Sequence, residues 1–210
     1  MKTKTFFIVI VFIFLSLVGY GLFPIKDAFQ QFIVMIVFFT ILPLIFNKLI
    51  LKRSLADIGV QAGDWRQGLK WCGISSVGVI LIFLMAAYFF DFFKNYKSAA
   101  VFVGYNFISF AFYELLAALF IVFVYEFFFQ GFVMLTLELK MSRWAIIAQA
   151  LIFLIAAVIM NSVGWAFLPY IIFAPFAGVI AYKSRSIFYS SALQIIIFII
   201  LDASVVRMAK

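Results

Sequence analysis

The sequence predicts an all-α fold, a polytopic transmembrane helical bundle of about seven helices forming one membrane domain over residues 1–210. Three observations carry this reading. Of the 210 residues, 68% are hydrophobic and only 11% charged, and the mean hydropathy is +1.24, whereas a soluble domain carries roughly 25% charge. The apolar residues come in runs near the about 20 needed to cross a hydrocarbon layer as a helix. The basic residues gather between those runs, where they set topology and meet anionic headgroups.

The elements follow in order. The first run, 5–24, comes after Lys2 and Lys4; at about twenty residues it exceeds the usual 7–15 of a signal-peptide core. It is followed by Val18-Gly19-Tyr20-Gly21 rather than an Ala-x-Ala-like site, so it reads as a retained span. The second run is 28–51, with Pro43 at a kink position. A polar stretch follows, from Lys52 to Lys70, alternating charges with small apolar groups as an interfacial loop or short surface helix does. The third span is 71–90. The fourth, 107–139, is longer than a bilayer requires and is expected to project, tilt or break near Gly131. The remaining spans are 145–160, 166–182 and 187–206. The 31 phenylalanines suit lipid-facing surfaces.

Charge sorting sets the orientation. With the N-terminus cytoplasmic, that side receives eleven basic residues: Lys2, Lys4, Lys48, Lys52, Arg53, Arg66, Lys70, Lys140, Arg143, Lys183 and Arg185. The other side receives five: Lys26, Lys94, Lys97, Arg207 and Lys210. This split predicts an integral protein of the cell (plasma) membrane with its N-terminus inside.

Several functions are excluded by composition. The net charge of +8 has no basic face of the nucleic-acid-binding kind, so no nucleic-acid partner is expected. There is no histidine and one cysteine, Cys72; Cys/His zinc sites and the Ser–His–Asp and Cys–His arrangements are therefore impossible. No metal and no cofactor is expected. The absence of an internal repeat and of a continuous polar path gives a transporter or channel no support.

Polar groups at membrane depth are costly, about 2.5–3.5 kcal/mol for a central charge, and mark the places to look. They are Glu114, Glu126, Gln130, Gln149, Asn161, Gln194 and Asp202. Glu126 and Gln130 stand four apart and share a helix face. Glu114 is twelve residues from Glu126, roughly 18 Å of helix, too far for a two-carboxylate site on one bond. Glu126 reads either as a neutral carboxyl gluing helices together or as a functional group. Glu114 fits a polar pocket or a helix contact equally. Asp202 reads as reaching the interface at the end of the last span, and Cys72 as a small packing residue at a span boundary. Ala174, Ala177, Gly178 and Ala181 have the small-xxx-small spacing of close helix packing.

The segment Tyr125-Glu126-Phe127-Phe128-Phe129-Gln130-Gly131-Phe132 resembles the Glu-Glu-x-x-x-Arg-Gly signature of the CPBP (CAAX protease and bacteriocin-processing, or Abi) family of intramembrane proteases. Three further stretches resemble it in order and spacing, so that the likeness spans about 50–200. Ser54-Leu55-Ala56-Asp57-Ile58-Gly59-Val60 is similar to the loop preceding the family's core, and 150–157 to its Phe-x-x-x-His helix. The stretch from Phe176 through Gln194 is similar to the segment leading into its His-x-x-x-Asn motif. The resemblance implies glutamates and two histidines activating a water for peptide-bond attack, with an Asn holding the oxyanion. Of these positions only Glu126 keeps its residue: the first Glu is Tyr125, the Arg is Gln130, the histidines fall on Ala157 and Gln194, and the Asn on Phe198. A general base without an imidazole or metal partner cannot both activate water and deliver a proton.

The expected function is therefore a non-catalytic membrane scaffold in contact with the bilayer. It would bind a membrane protein or membrane-bound peptide in a groove lined by Tyr125, Glu126, Gln130 and Gln194. The alternative is an active CPBP-type endopeptidase processing membrane-bound peptides, with Glu126 as base and Glu114 or Asp202 assisting. Bacteriocin immunity is a further possibility implied by the family.

Overall fold

The structure, a computed structural model, describes residues 3–96 and 107–208. The expectations for Lys2, Lys97, Lys210 and the Glu114 side chain lie outside the described residues. Among the described residues seven helical runs account for the apolar stretches: α1 (Thr3–Leu22), α2 (Ala28–Ile50), α3 (Trp65–Phe90), α4 (107–141), α5 (Trp144–Ile159), α6 (Leu168–Ser184) and α7 (Phe188–Met208). Five contain a stretch long and apolar enough to cross a membrane; α5 and α6, with 16 and 17 residues, are apolar but shorter.

Local chemistry sets the ends. Asp27 starts α2, its carboxylate accepting from the Gln30 N–H at 2.8 Å. Asp64 does the same for α3 through the Gln67 N–H at 3.1 Å. That cap starts α3 at Trp65, six residues before the expected position 71. Pro43 is flanked by wide π-type turns at Val37–Ile41 and Phe46–Ile50, which accommodate the missing N–H without ending the helix. The anticipated break near Gly131 is a wide turn too: Glu126–Met134 is π-helical, and the helix runs on through Leu135–Met141.

α4 is the central element. In its most apolar window 72% of residues are buried, against 22–28% for α1, α2 and α3, which face outward. One core joins α1, α2, α5 and the wide turn of α4; a second joins α3, α6 and α7. Phenylalanine is not only a lipid-facing residue here. Phe39, Phe128, Phe129, Phe132 and Phe173 are fully enclosed, and Phe39 meets Phe128 with ring centroids 4.7 Å apart. The small residues of α6 are buried as expected, with α6 lying against α3, α5 and α7.

The polar stretch after α2 is neither a surface helix nor a free loop. Its short 3₁₀ turn, Ala56–Ile58, sends Ile58 fully into the protein, against Phe127 and Ile187. The Asp64 N–H donates to the Ser184 carbonyl at 2.8 Å, and the Ile187 N–H to the Gly59 carbonyl at 3.0 Å. Gly131 is required by this docking, because a Cβ there would stand 2.7 Å from the Ile58 carbonyl oxygen.

One end of the bundle collects basic groups. Arg53 donates to Thr136 Oγ1 at 3.0 Å, Lys140 Nζ to Thr3 Oγ1 at 3.1 Å, and Arg185 Nη2 to Glu138 Oε1 at 2.7 Å. Arg53, Lys140 and Arg185, three of the residues sorted together by charge, thus stand at the same end.

Candidate functional site

Glu126 opens the wide turn of α4 and is 1% exposed. Its carboxyl accepts a hydrogen bond from the Ser190 hydroxyl of α7, and the same hydroxyl lies 3.1 Å from the Ile187 carbonyl. Ser191 donates to that carbonyl at 2.8 Å. On α7, residues 190, 194, 198 and 202 recur every four positions and form one buried stripe: Ser190, Gln194, Phe198 and Asp202. On α4 the corresponding pair is Glu126 and Gln130. Sequence reasoning singled out Gln194 and missed Ser190, although Ser190 lies one turn earlier on the same face; that spacing was the available signal.

The other expected site residues divide between different neighbours. Tyr125 turns away from Ser190 into the aromatic core, with ring contacts to Phe153 at 6.0 Å and Tyr170 at 5.7 Å. Phe198 meets Tyr170 edge-on at 4.4 Å. Ala157 is fully buried in α5, so no polar atom occupies the position where the resemblance implies a histidine. Gln130 Oε1 and both amide atoms of Gln149 are buried without a hydrogen-bond partner among the described residues, and the Gln149 amide lies against Gly178. Asp202 does not reach the interface: it is 4% exposed, because α7 continues to Met208. Cys72 lies inside α3 rather than at its boundary and donates to the Tyr189 carbonyl at 3.4 Å. Among the described residues no three Cys, Asp or Glu side chains cluster as a metal site.

These placements correct the expected groove. Tyr125, Glu126, Gln130 and Gln194 do not line a common cleft, since the last three are enclosed. A cavity of about 910 Å³ lies instead between α2 and α4. Its walls are mainly Phe32, Met35, Phe112, Leu116 and Phe120, with Gln31 and Tyr125 as its polar members. Two smaller cavities, of about 400 and 270 Å³, lie beside Arg53 at the basic end. None of the three includes Glu126.

The Glu126–Ser190 contact is an interhelical bond of the kind worth about 0.6 kcal/mol on average and about 1.7 at most in membranes. A double-mutant cycle of Glu126→Ala and Ser190→Ala, read by unfolding in mixed micelles, is expected to give a coupling of about 0.6–1.7 kcal/mol. A coupling near zero removes the bond from the account.

Over the Glu126 region sits the docked loop, held by its own polar clasp. Asp57 Oδ2 accepts from the Ser54 N–H at 2.8 Å and the Ser54 hydroxyl at 2.7 Å. These bonds hold the Asp57 carboxyl below its ordinary value. A depressed folded-state value contributes stability above the unfolded pKa and loses it as pH falls through the folded one. Amide exchange in 52–60, corrected for the intrinsic rate, is therefore expected to rise as pH drops from about 6 to 3. Asp57→Asn should flatten most of that rise.

Residues 107–200, covering most of α4 through most of α7, match the family model of Type II CAAX prenyl endopeptidase Rce1-like proteins. This is the grouping whose motifs the sequence resembles; the likeness of the loop at 54–60 lies outside the matched segment. No curated protein and no solved structure matches the sequence. With five helices long and apolar enough to cross a membrane, the chain is an integral membrane protein whose segment 107–200 is similar to CAAX-protease-like proteins.

Proposed function

We propose that this CAAX-protease-like membrane protein is a non-catalytic scaffold that keeps the family's helical cage and binds a membrane protein or membrane-bound peptide. The observation that carries the reading is the enclosure of Glu126. It is 1% exposed, its carboxyl is occupied by Ser190, and no described cavity reaches it. Peptide hydrolysis needs a water beside its base and a second group to protonate the leaving amine. Ala157 and Gln194 stand at the positions implied for histidine and supply no titrating imidazole. Losing such members of a catalytic unit removes many orders of magnitude of rate.

The test is direct. The purified chain in lipid is incubated with prenylated peptides ending in a CAAX sequence and with unprenylated membrane-bound peptides. No cleavage above the protein-free blank is expected, for wild type or Glu126→Gln. Cleavage by wild type that disappears in a folded Glu126→Gln variant would instead establish the endopeptidase reading. The scaffold role itself predicts a membrane protein or peptide captured by cross-linking in intact membranes and retained in mild detergent; a chain that captures none loses that role.

The proposal places the basic end at the cytoplasmic face of the cell membrane, since Lys4, Arg53, Lys140 and Arg185 belong to that end. In a Cys72→Ser background, Lys52→Cys should react with a membrane-impermeant maleimide only after the cells are opened. Labelling of intact cells reverses the orientation.

A further inference from the structure

We infer that the cavity between α2 and α4 holds one acyl chain of a membrane phospholipid, a site that goes beyond the scaffold reading and does not depend on it. Four observations lead there. The cavity measures about 910 Å³, at the upper end of the range for sites that enclose a small molecule. Its walls are almost wholly apolar, and Gln31 and Tyr125 are too few to hold a cluster of waters. Its rim residues Ile108, Phe112 and Leu116 are 77%, 66% and 59% exposed; in a membrane-spanning helix that exposure faces hydrocarbon, so the cavity is continuous with the bilayer. Lys26 stands two residues before Ala28, which lines the cavity, and offers an ammonium to a lipid phosphate. The neighbouring Asp27 is committed to capping the Gln30 N–H.

An empty apolar void forfeits dispersion contacts on every wall, and the solvent at its mouth is lipid tail. The shape selects a single chain rather than a partner's helix. Phe32 and Phe120 pack against each other at 4.4 Å between ring centroids and so close one part of the cavity, tying its α2 wall to its α4 wall; walls joined in this way leave no room between them for a helix, which with its side chains is about 10–12 Å across. The site is a slot that a hydrocarbon chain enters tail first, with Tyr125 at its inner end.

The experiment uses the full chain reconstituted in bilayer discs of dioleoyl phosphatidylglycerol, released into mild detergent and weighed intact by native mass spectrometry. The expected spectrum shows one retained phospholipid per chain. Filling the slot with Leu116→Trp or, at the rim, Ala28→Phe should lower retention at least tenfold. Leu81→Trp, on the exposed outer face of α3, should leave it unchanged. Two filling variants are used so that a folding failure in one leaves the other to decide. No retained lipid in wild type, equal retention in the filled variants, or a mass of two chains without lipid would each overturn the inference.

Discussion

Phe128→Ala is expected to destabilise the protein by about 2–3 kcal/mol, the larger of the packing effects. Phe128 is fully buried in the wide turn of α4. Its ring lies 4.7 Å from Phe39 on α2 and 4.9 Å from Phe129, so its removal opens a void between α4 and α2. In a soluble core Phe→Ala costs about 3–5 kcal/mol, combining lost transfer from water with the cavity left behind. Here the displaced side chain has lipid as its reference solvent, which is as apolar as the core, and the cavity part dominates. Phe89→Ala, with Phe89 64% exposed on α3, exchanges one lipid contact for another and should change stability by less than about 0.5 kcal/mol. Unfolding in mixed micelles with increasing dodecyl sulfate reads both. Equal shifts for the two would mean that burial within the bundle does not govern its stability.

How far the sequence speaks for this fold depends on the signal each part leaves. Apolar runs at bilayer length are a first-order pattern, and the seven expected spans correspond to seven helical runs. The displacement at the start of α3 comes from one residue, Asp64, whose capping bond extends the helix through Trp65-Arg66-Gln67; polarity alone reads that stretch as loop. Ile58 was invisible for the opposite reason. In a segment dense in charge a single isoleucine carries no periodicity, and only its three-dimensional partners Phe127 and Ile187 reveal it as buried. At the site, i,i+4 spacing predicts a shared helix face for Glu126 and Gln130; the structure buries both in the wide turn, with all of Glu126–Met134 enclosed. The partner of Glu126, Ser190, is 64 residues away, and nothing local to either residue encodes that pairing. The groove expected around four motif positions failed because neighbouring residues on a helix point to different sides: Tyr125 and Glu126 are adjacent in sequence, yet one lines an open cavity and the other a sealed contact.

Gly63→Ala is expected to release the docked loop and to accelerate tryptic cleavage after Lys52 and Arg53 by at least tenfold. Gly63 has φ +58, and a Cβ on its backbone would stand 2.1 Å from the Ser184 carbonyl oxygen, a backbone atom that cannot rotate aside. Left-handed backbone costs a non-glycine residue about 1–2 kcal/mol. The contact also forces the loop off the α6–α7 turn, with loss of the Asp64–Ser184 and Ile187–Gly59 hydrogen bonds, each worth about 0.5–1.5 kcal/mol. Together these give about 2–5 kcal/mol against the docked state, enough to raise the open population by more than tenfold. Arg53 is a sensitive reporter because docking ties its guanidinium to Thr136 and to the Asp57 carbonyl, so a protease reaches it only after release. Gly73→Ala is the control: it lies within α3 with nothing within 4 Å of its Cβ position, and alanine there should be neutral or stabilising by up to about 1 kcal/mol. If trypsin cuts wild type and Gly63→Ala at the same rate, the loop does not seal the Glu126 region, and the enclosure on which the non-catalytic reading depends must come from the helices alone.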